Sequence, residues 1–217
     1  LVTFTLPELL RAWVRSHPKL GYDLLFAASA QALQDLASNP KHLGAQLALL
    51  GVLHTWSRTL IFHPHIHYLI PGGGLSADGR TWSHTGKDFF VHFKPLKRRF
   101  RTVFAELLRR QAPELWAQIP SSVWKQDWNI NLQAVGSGEK ALAYLARYIF
   151  KTATANRRLQ LLPDGKVRWP YRQSQTGQWT HQDLEPDELL RRFLQHVLPP
   201  SYCRVRSFGW YHPAAKV

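Results

Sequence analysis

The segment HIHYLI, residues 65–70, has the composition of a β-strand, and the turn-forming run PGGG follows it at residues 71–74. Side chains two residues apart on a strand point to the same face of the sheet. His65 and His67 therefore present two imidazoles on one side, while Ile66 anchors the other side in the core. This spacing predicts a compact pair of metal ligands of the type that suits zinc, copper, iron and nickel better than magnesium.

A third histidine precedes the pair. His63 has the same parity along the strand, but Pro64 interrupts the strand between it and His65. A His63/His65 pair and a site with three histidines therefore remain alternatives to the His65/His67 pair. Two hydrogen-bonded histidines at a strand edge would give the same sequence pattern without any metal.

The rest of the chain indicates an α+β fold. Its hydrophobic patterns predict strands at residues 1–6, 128–135 and 166–172, and helices at residues 22–37, 94–110 and 139–151. The apolar run at residues 45–54 could be a strand or a buried helix. We therefore expect a central, largely antiparallel sheet flanked by helices.

The length and composition suit one domain spanning residues 1–217, with residues 156–217 as an alternative C-terminal appendage. Because the chain has no methionine and starts at Leu1, we expect it to be a piece of a longer protein. Cys203 is the only cysteine, which excludes an internal disulfide and a cysteine zinc cluster. No apolar run approaches the roughly 20 residues of a membrane helix.

The predicted helix at 139–151 has an unusual distribution of side chains. Tyr144, Arg147, Tyr148 and Lys151 share one face at helical spacing, opposite a face that carries Leu142, Leu145, Ala146 and Ile149. Tyrosines of the core would lie on the leucine side, whereas these lie beside two cations. A tyrosine can act as a covalent nucleophile, and the two cations could stabilise its phenolate or hold a phosphate. Two surface tyrosines that only form hydrogen bonds are the structural alternative.

The charge balance points to a polyanion as partner. The chain has 28 Lys and Arg against 14 Asp and Glu, a net charge of +14. Nucleic acid is favoured over an acidic membrane, because no long amphipathic basic helix is evident. The candidates for DNA contact are Lys97, Arg98, Arg99, Arg147, Lys151, Arg157 and Arg158. Such residues bind phosphates with little sequence preference.

The nine tryptophans could stack on unpaired bases, although most are expected in the core. Trp169 lies on the apolar face of its predicted strand. Trp82 and Trp179 are the first candidates for exposed stacking surfaces.

Taken together, His65-Ile66-His67 and Tyr144-x-x-x-Tyr148 resemble the HUH nucleases, named for His-hydrophobic-His, and most closely the two-tyrosine transposases of the insertion sequence 91 family. Other stretches that resemble this family are PKHLG at 40–44, LHTW at 53–56, residues 63–74, DW at 127–128, NRRL at 156–159 and residues 191–199. The resemblance extends over residues 1–206, which makes it more specific than either motif alone.

The resemblance implies an enzyme that nicks and rejoins single-stranded DNA at element ends during rolling-circle transposition, in the bacterial cytoplasm at the nucleoid. Tyr144 or Tyr148 would form a 5′-phosphotyrosine link beside a divalent metal, Mg²⁺ or Mn²⁺, held by His65 and His67. Manganese satisfies both the family expectation and the imidazole chemistry. No small-molecule substrate is expected, and the oligomeric state stays open.

The resemblance leaves a third metal ligand unassigned, with Asn131, Gln133, Asp127 and His63 as candidates. Family members also carry a cysteine-rich region before this domain, and the chain lacks it. The alternatives are a plasmid relaxase or replication initiator with the same chemistry, a non-catalytic nucleic-acid-binding remnant, and a histidine-metal hydrolase whose tyrosines only bind substrate.

Overall fold

A computed structural model describes residues 1–86, 92–136, 139–140, 143, 146, 159–173 and 175–215. The central feature of these residues is a five-stranded antiparallel sheet with the order β10-β2-β3-β1-β6. Helices cover one face of it. The predicted α+β class with an antiparallel sheet is therefore confirmed, and it is compatible with an HUH-nuclease-like fold.

The strands of the central sheet are β1 (Val2–Thr5), β2 (Ala48–Trp56), β3 (Phe62–Leu69), β6 (Asn129–Leu132) and β10 (Val205–Gly209). Two smaller sheets contain β4 (Gly73–Leu75) and β5 (Trp82–His84), and β7 (Gln160–Leu161), β8 (Val167–Arg172) and β9 (Trp179–Leu184). The helices are α1 (Glu8–Ser16), α2 (Pro18–Ser38), α3 (Phe93–Gln111), α4 (Pro113–Gln118), α5 (Ser122–Lys125) and α6 (Pro186–Leu194).

Strand β3 starts at Phe62, earlier than the sequence pattern predicts, and continues through Pro64. His54 pairs with His65 and Trp56 pairs with Phe62, so β3 holds one residue more than β2 between these pairs. Proline cannot donate a ladder hydrogen bond, and a bulge is one of the few places where a strand tolerates it. The irregularity therefore allows the strand to extend past Pro64.

The apolar run at 45–54, which could have been a strand or a helix, forms most of strand β2. Gly51 lies near its centre, opposite Tyr68 on β3. A Cβ atom at Gly51 would lie 2.6 Å from the Tyr68 ring and 3.1 Å from the Phe26 ring. Glycine is thus required because two aromatic rings occupy the space above the strand.

The two faces of the central sheet differ sharply. Phe4, Ile66 and Tyr68 belong to the main hydrophobic core, which also contains buried residues of α2 and α3. The Tyr68 hydroxyl is buried against Ser29 Oγ at 2.9 Å. On the opposite face, Thr3 lies beside His67 in the strand register. The polar side chains of β1 and β3 are therefore on the face turned away from α2 and α3.

Residues of β8 and α6 donate hydrogen bonds to the turn that joins β2 to β3. Trp169, predicted to be a core residue, is 5% exposed and donates its Nε1–H to the carbonyl of Arg58 at 3.0 Å. Arg192 of α6 donates to the carbonyl of Thr59 at 3.1 Å. The chain then returns to the central sheet as β10, beside β2.

Among the described residues, no helix has the length and apolar content needed to cross a bilayer. Strand β6 is shorter than the predicted strand at 128–135, since Trp128 precedes the ladder and residues 133–135 follow it outside the strand. Trp128 is buried in the core. Of the predicted helix at 139–151, the described residues Glu139, Lys140, Ala143 and Ala146 are helical. Ala146 is exposed.

Candidate metal centre

His65 and His67 lie side by side on β3, and the adjacent strand β2 adds a third imidazole. His54 pairs directly with His65 across the two strands. One ring nitrogen from each of the three residues lies within 4.8 Å of the other two. The predicted ligand pair is thus part of a cluster of three histidines.

Hydrogen bonds to the Nδ1 atoms orient the two predicted ligands. His67 Nδ1 lies 2.9 Å from the hydroxyl of Thr3, and His65 Nδ1 lies 2.7 Å from the carbonyl oxygen of His63. The carbonyl can only accept, so His65 Nδ1 carries the hydrogen. In such a tautomer Nε2 has the lone pair with which imidazole binds a metal.

His54 is held by packing. It is 3% exposed, and its ring stacks on the indole of Trp56 with a centroid distance of 4.7 Å and an interplanar angle of 17°. Its ring centroid lies 5.0 Å from that of His67 and 5.5 Å from that of His65. A stacked, buried imidazole has few alternative rotamers, so His54 is fixed beside the other two rings.

His196, two residues after the end of α6, contacts strand β2 and the turn that follows it. His196 Nε2 donates to the carbonyl of Leu60 at 3.1 Å, which leaves Nδ1 to accept from the Thr55 hydroxyl at 3.2 Å. The His196 ring also contacts Trp56 edge to face at 6.1 Å. Burial lowers the pKa of His196 below its usual value, more than the Leu60 hydrogen bond raises it. His196 is therefore a neutral buttress for the strand that carries His54.

The three residues fit a divalent cation. Imidazole nitrogens bind zinc at about 2.0–2.1 Å. The three ring nitrogens of this cluster lie within 4.8 Å of one another, close enough to be ligands of one ion. Hydrogen bonds that join Nδ1 with a hydroxyl or a carbonyl are a common outer-shell support of histidine ligands. A site of three nitrogens disfavours Mg²⁺, which prefers oxygen.

Other candidates for the third ligand are placed differently. Asp127 forms an ion pair with Lys97. The exposed Asn131 is on β6, two strands away from β3, and lies beside Thr3 of β1. The backbone N–H of Gln133 donates to the Leu1 carbonyl at the end of β1.

His63 lies next to the cluster, with its ring centroid 5.3 Å from that of His65. Burial, together with the charges of His65 and Arg11, lowers its pKa to about 4. Its carbonyl orients His65, while its ring is not one of the three clustered imidazoles.

Two of the predicted DNA contacts on α3 are engaged in ion pairs. Lys97 pairs with Asp127 and lies over the ring of Phe93, and Arg99 pairs with Asp35. Arg98 is exposed. Phosphate binding by Lys97 or Arg99 would have to compete with these carboxylates, whereas Arg98 is accessible.

The remaining predicted site residues lie outside the described residues. They are Tyr144, Arg147, Tyr148, Lys151, Arg157 and Arg158. Their roles stay predictions.

Residues 49–216 match the profile of a protein family, Y2_Tnp, described as "Putative transposase". The matched region covers more than half of the chain and contains all three clustered histidines. The chain belongs to this transposase family.

Two relatives of the transposase match it over nearly its whole length. It is 34% identical over 227 residues to "Putative transposase y4qJ" of Sinorhizobium fredii (strain NBRC 101917 / NGR234), covering 96% of this chain and 57% of that protein. It is 29% identical over 228 residues to "Transposase for insertion sequence element IS801" of Pseudomonas savastanoi pv. phaseolicola, covering 96% of this chain and 53% of that protein. The chain thus spans a little over half the length of these relatives.

No solved structure gives a significant match to the transposase. Family membership and the insertion-sequence relative agree with the type of transposase expected from the sequence. The cluster of three histidines adds a place where a divalent metal could bind.

Proposed function

We propose that the transposase nicks and rejoins single-stranded DNA through a tyrosine nucleophile beside a metal held by His54, His65 and His67. The carrying observation is the convergence of three imidazoles, with two Nδ1 atoms already hydrogen-bonded, on the sheet face that α2 and α3 leave uncovered. Family membership supports DNA as the substrate.

In the proposed reaction, the phenolic oxygen of Tyr144 or Tyr148 attacks a backbone phosphorus. A tyrosine–phosphorus bond forms as the bond to the 3′-oxygen breaks, and the leaving 3′-oxygen takes up a proton. The number of phosphoester bonds is unchanged, so attack by a 3′-hydroxyl reverses the reaction and rejoins a strand. Arg147 and Lys151 would stabilise negative charge on the phenolate or the phosphate.

A bound cation would supply charge stabilisation at a non-bridging phosphoryl oxygen. His54, His65 and His67 would hold it. The Thr3 hydroxyl would orient the His67 ring toward the cation, and the His63 carbonyl would orient the His65 ring. The nitrogen ligands favour Mn²⁺ over Mg²⁺.

A tyrosine with an ordinary pKa near 10 needs activation at neutral pH, and the cations predicted beside Tyr144 and Tyr148 offer it. Two tyrosines one helical turn apart would allow one to hold a cleaved strand while the other cuts or receives a second. This arrangement suits transfer of a single strand from donor to target without ATP.

The direct test is to incubate the chain and Mn²⁺ with labelled single-stranded oligonucleotides from candidate element ends, and to look for a covalent adduct on a denaturing gel. We expect an adduct that disappears with EDTA, with the Tyr144→Phe/Tyr148→Phe double variant and with the His65→Ala/His67→Ala variant. Tyr211→Phe is the control, because this exposed tyrosine is remote from both motifs in sequence.

An adduct that survives the double tyrosine variant would exclude the proposed nucleophiles. Cleavage without any adduct would favour a hydrolase in which the tyrosines only bind substrate. Binding to every oligonucleotide with neither cleavage nor adduct would favour a DNA-binding remnant.

A further inference from the structure

A cleft of about 370 Å³ lies between α3 and the short helices α4 and α5. It is lined by Arg101, Thr102, Ala105, Glu106, Arg109, Trp116 and Trp124. Helix α3 packs its buried residues toward Phe4 and the core, so the cleft belongs to the helical side of the sheet. It is separate from the histidine face.

Three tryptophans form a ladder that leads from the core to this cleft. Trp128 is fully buried, and its ring stacks on Trp124 at 5.9 Å and 25°. Trp124 in turn stacks on Trp116 at 4.6 Å and 27°. Trp116 and Trp124 are only partly buried and line the cleft. The core therefore supports a rigid aromatic surface that ends at solvent.

Two arginines flank the aromatic surface. Arg101 and Arg109 lie two helical turns apart on α3, roughly 12 Å along its axis. Neither forms an ion pair with another described residue, in contrast to Lys97 and Arg99 on the same helix. Glu106 is the acidic residue of the cleft, and Arg99 approaches it at 4.0 Å. The cleft thus combines two available cations with an apolar, planar floor.

We propose that this cleft binds a single-stranded nucleic acid, with an unpaired base stacked on Trp116, the outer end of the ladder, and adjacent phosphates on Arg101 and Arg109. Aromatic surfaces beside basic residues bind single strands in this way with little dependence on sequence. The bases of a duplex are already stacked and cannot enter. This subsite rests on the proposed function only in that both act on single-stranded DNA.

The topology gives the bound strand a route to the histidine face. Helix α5 leads directly into β6, the edge strand of the central sheet. Asn129 and Asn131 of β6 are exposed and pair with Thr5 and Thr3, on the same face as His65 and His67. A strand that leaves the cleft around the β6 edge therefore reaches the side of the sheet where the histidines lie.

The test measures binding of a fluorescein-labelled oligothymidine by fluorescence anisotropy in EDTA, so that no cleavage occurs. We expect Trp116→Leu to raise Kd by roughly 5- to 150-fold, the equivalent of one lost base stack. The matched control is Tyr211→Leu, which removes an exposed aromatic ring outside the cleft. Both variants should bind the matching duplex as the parent chain does.

The double variant Arg101→Gln/Arg109→Gln tests the same cleft without touching the core. Loss of two phosphate contacts should reduce the slope of log K against log salt by about 1.4. Arg15→Gln/Arg110→Gln, two exposed positions on α1 and α3 that do not line the cleft, is the control for general charge. Circular dichroism establishes that each variant is folded.

Parent-like affinity and salt slope in both cleft variants would overturn the proposal, as would equal weakening by the control variants. Photocrosslinking with 5-iododeoxyuridine should label the peptide that contains Trp116 or Trp124, and labelling elsewhere alone would also overturn it. Because the binding assay is run in EDTA, it requires neither a bound metal nor cleavage. Failure to detect a covalent adduct would therefore count against the proposed chemistry and leave the binding result intact.

Discussion

Replacement of Thr3 by valine isolates the hydrogen bond that orients His67. Valine has nearly the same shape and β-branching as threonine, so strand β1 keeps its conformation. The change removes the hydroxyl that lies 2.9 Å from His67 Nδ1. Because the contact is partly buried, water replaces the hydroxyl poorly, and the ring loses the group that fixes its tautomer and rotamer.

The magnitude follows from what such outer-shell contacts contribute in other metal sites. Loss of one costs about 10- to 100-fold in metal affinity, which corresponds to about 1.4–2.7 kcal/mol. We expect Thr3→Val to raise the Kd for Mn²⁺ by this factor. The free energy of unfolding in EDTA should fall by no more than about 1–3 kcal/mol, the cost of one unsatisfied buried group.

Thr5→Val provides a matched control. Thr5 lies on the same strand and pairs with His65, whose Nδ1 contacts the His63 carbonyl and not a threonine. Isothermal titration with Mn²⁺ should give a parent-like Kd for Thr5→Val and a weaker one for Thr3→Val. Equal Kd values for both variants and the parent chain would refute the assignment of His67 as an oriented ligand.

Two further predictions concern stability. In denaturant titrations, Gly51→Ala should lower the free energy of unfolding by about 1–3 kcal/mol, because its Cβ would overlap the Tyr68 ring. Gly72→Ala is the control: the nearest contact of its Cβ would be 3.6 Å away, so it should change the free energy of unfolding by less than about 0.5 kcal/mol. Burial lowers the pKa of His196 below that of the unfolded chain, so its contribution is complete above about pH 6.5 and is lost as the pH falls through that value toward the folded pKa. Between pH 7.5 and 5.5, the melting temperature of His196→Gln should therefore fall less than that of the parent chain, whereas the melting temperature of the exposed His212→Gln should fall as much as the parent's. If the melting temperatures of both variants fell as much as the parent's, this part of the pH dependence would not come from His196.

Local sequence rules were sufficient to place His65 and His67 on the same face of β3. A spacing of two residues places His65 and His67 on one face of any strand, whatever its neighbours are. The same rule predicted Ile66 in the core, where it is fully buried. The α+β class also follows from local patterns, because the helices and the polar-alternating strands have different periods.

The third imidazole could not be found from spacing along the chain. His54 meets His65 only because β2 and β3 form a hairpin whose pairing contains a bulge. A one-residue error in that register would turn His54 to the opposite face. The only signals were a polar residue at the end of an apolar run and a turn at 57–61, and neither fixes a register.

Contacts between distant parts of the chain were also beyond the sequence. Strand β10 pairs with β2 although Phe208 and its partner Leu49 lie 159 positions apart in the sequence. His196 reaches the Leu60 carbonyl across 136 positions. The Trp116 and Trp124 cleft arises from α3 packing on two short helices that follow it. Trp82, one of the two tryptophans expected to be exposed, is partly buried against Trp210, whereas Trp179 is 61% exposed as expected.

The order of strands explains how the two motifs of the sequence could act on one phosphate. Strand β6 is two strands away from β3, roughly 10 Å across the sheet. Glu139, where the predicted tyrosine helix starts, comes seven positions after Leu132 at the end of β6, a connection that could extend up to roughly 23 Å. This reach exceeds the distance back to the histidine face, so chain length permits Tyr144 or Tyr148 to approach the three imidazoles. Trapping the covalent adduct decides whether the approach occurs.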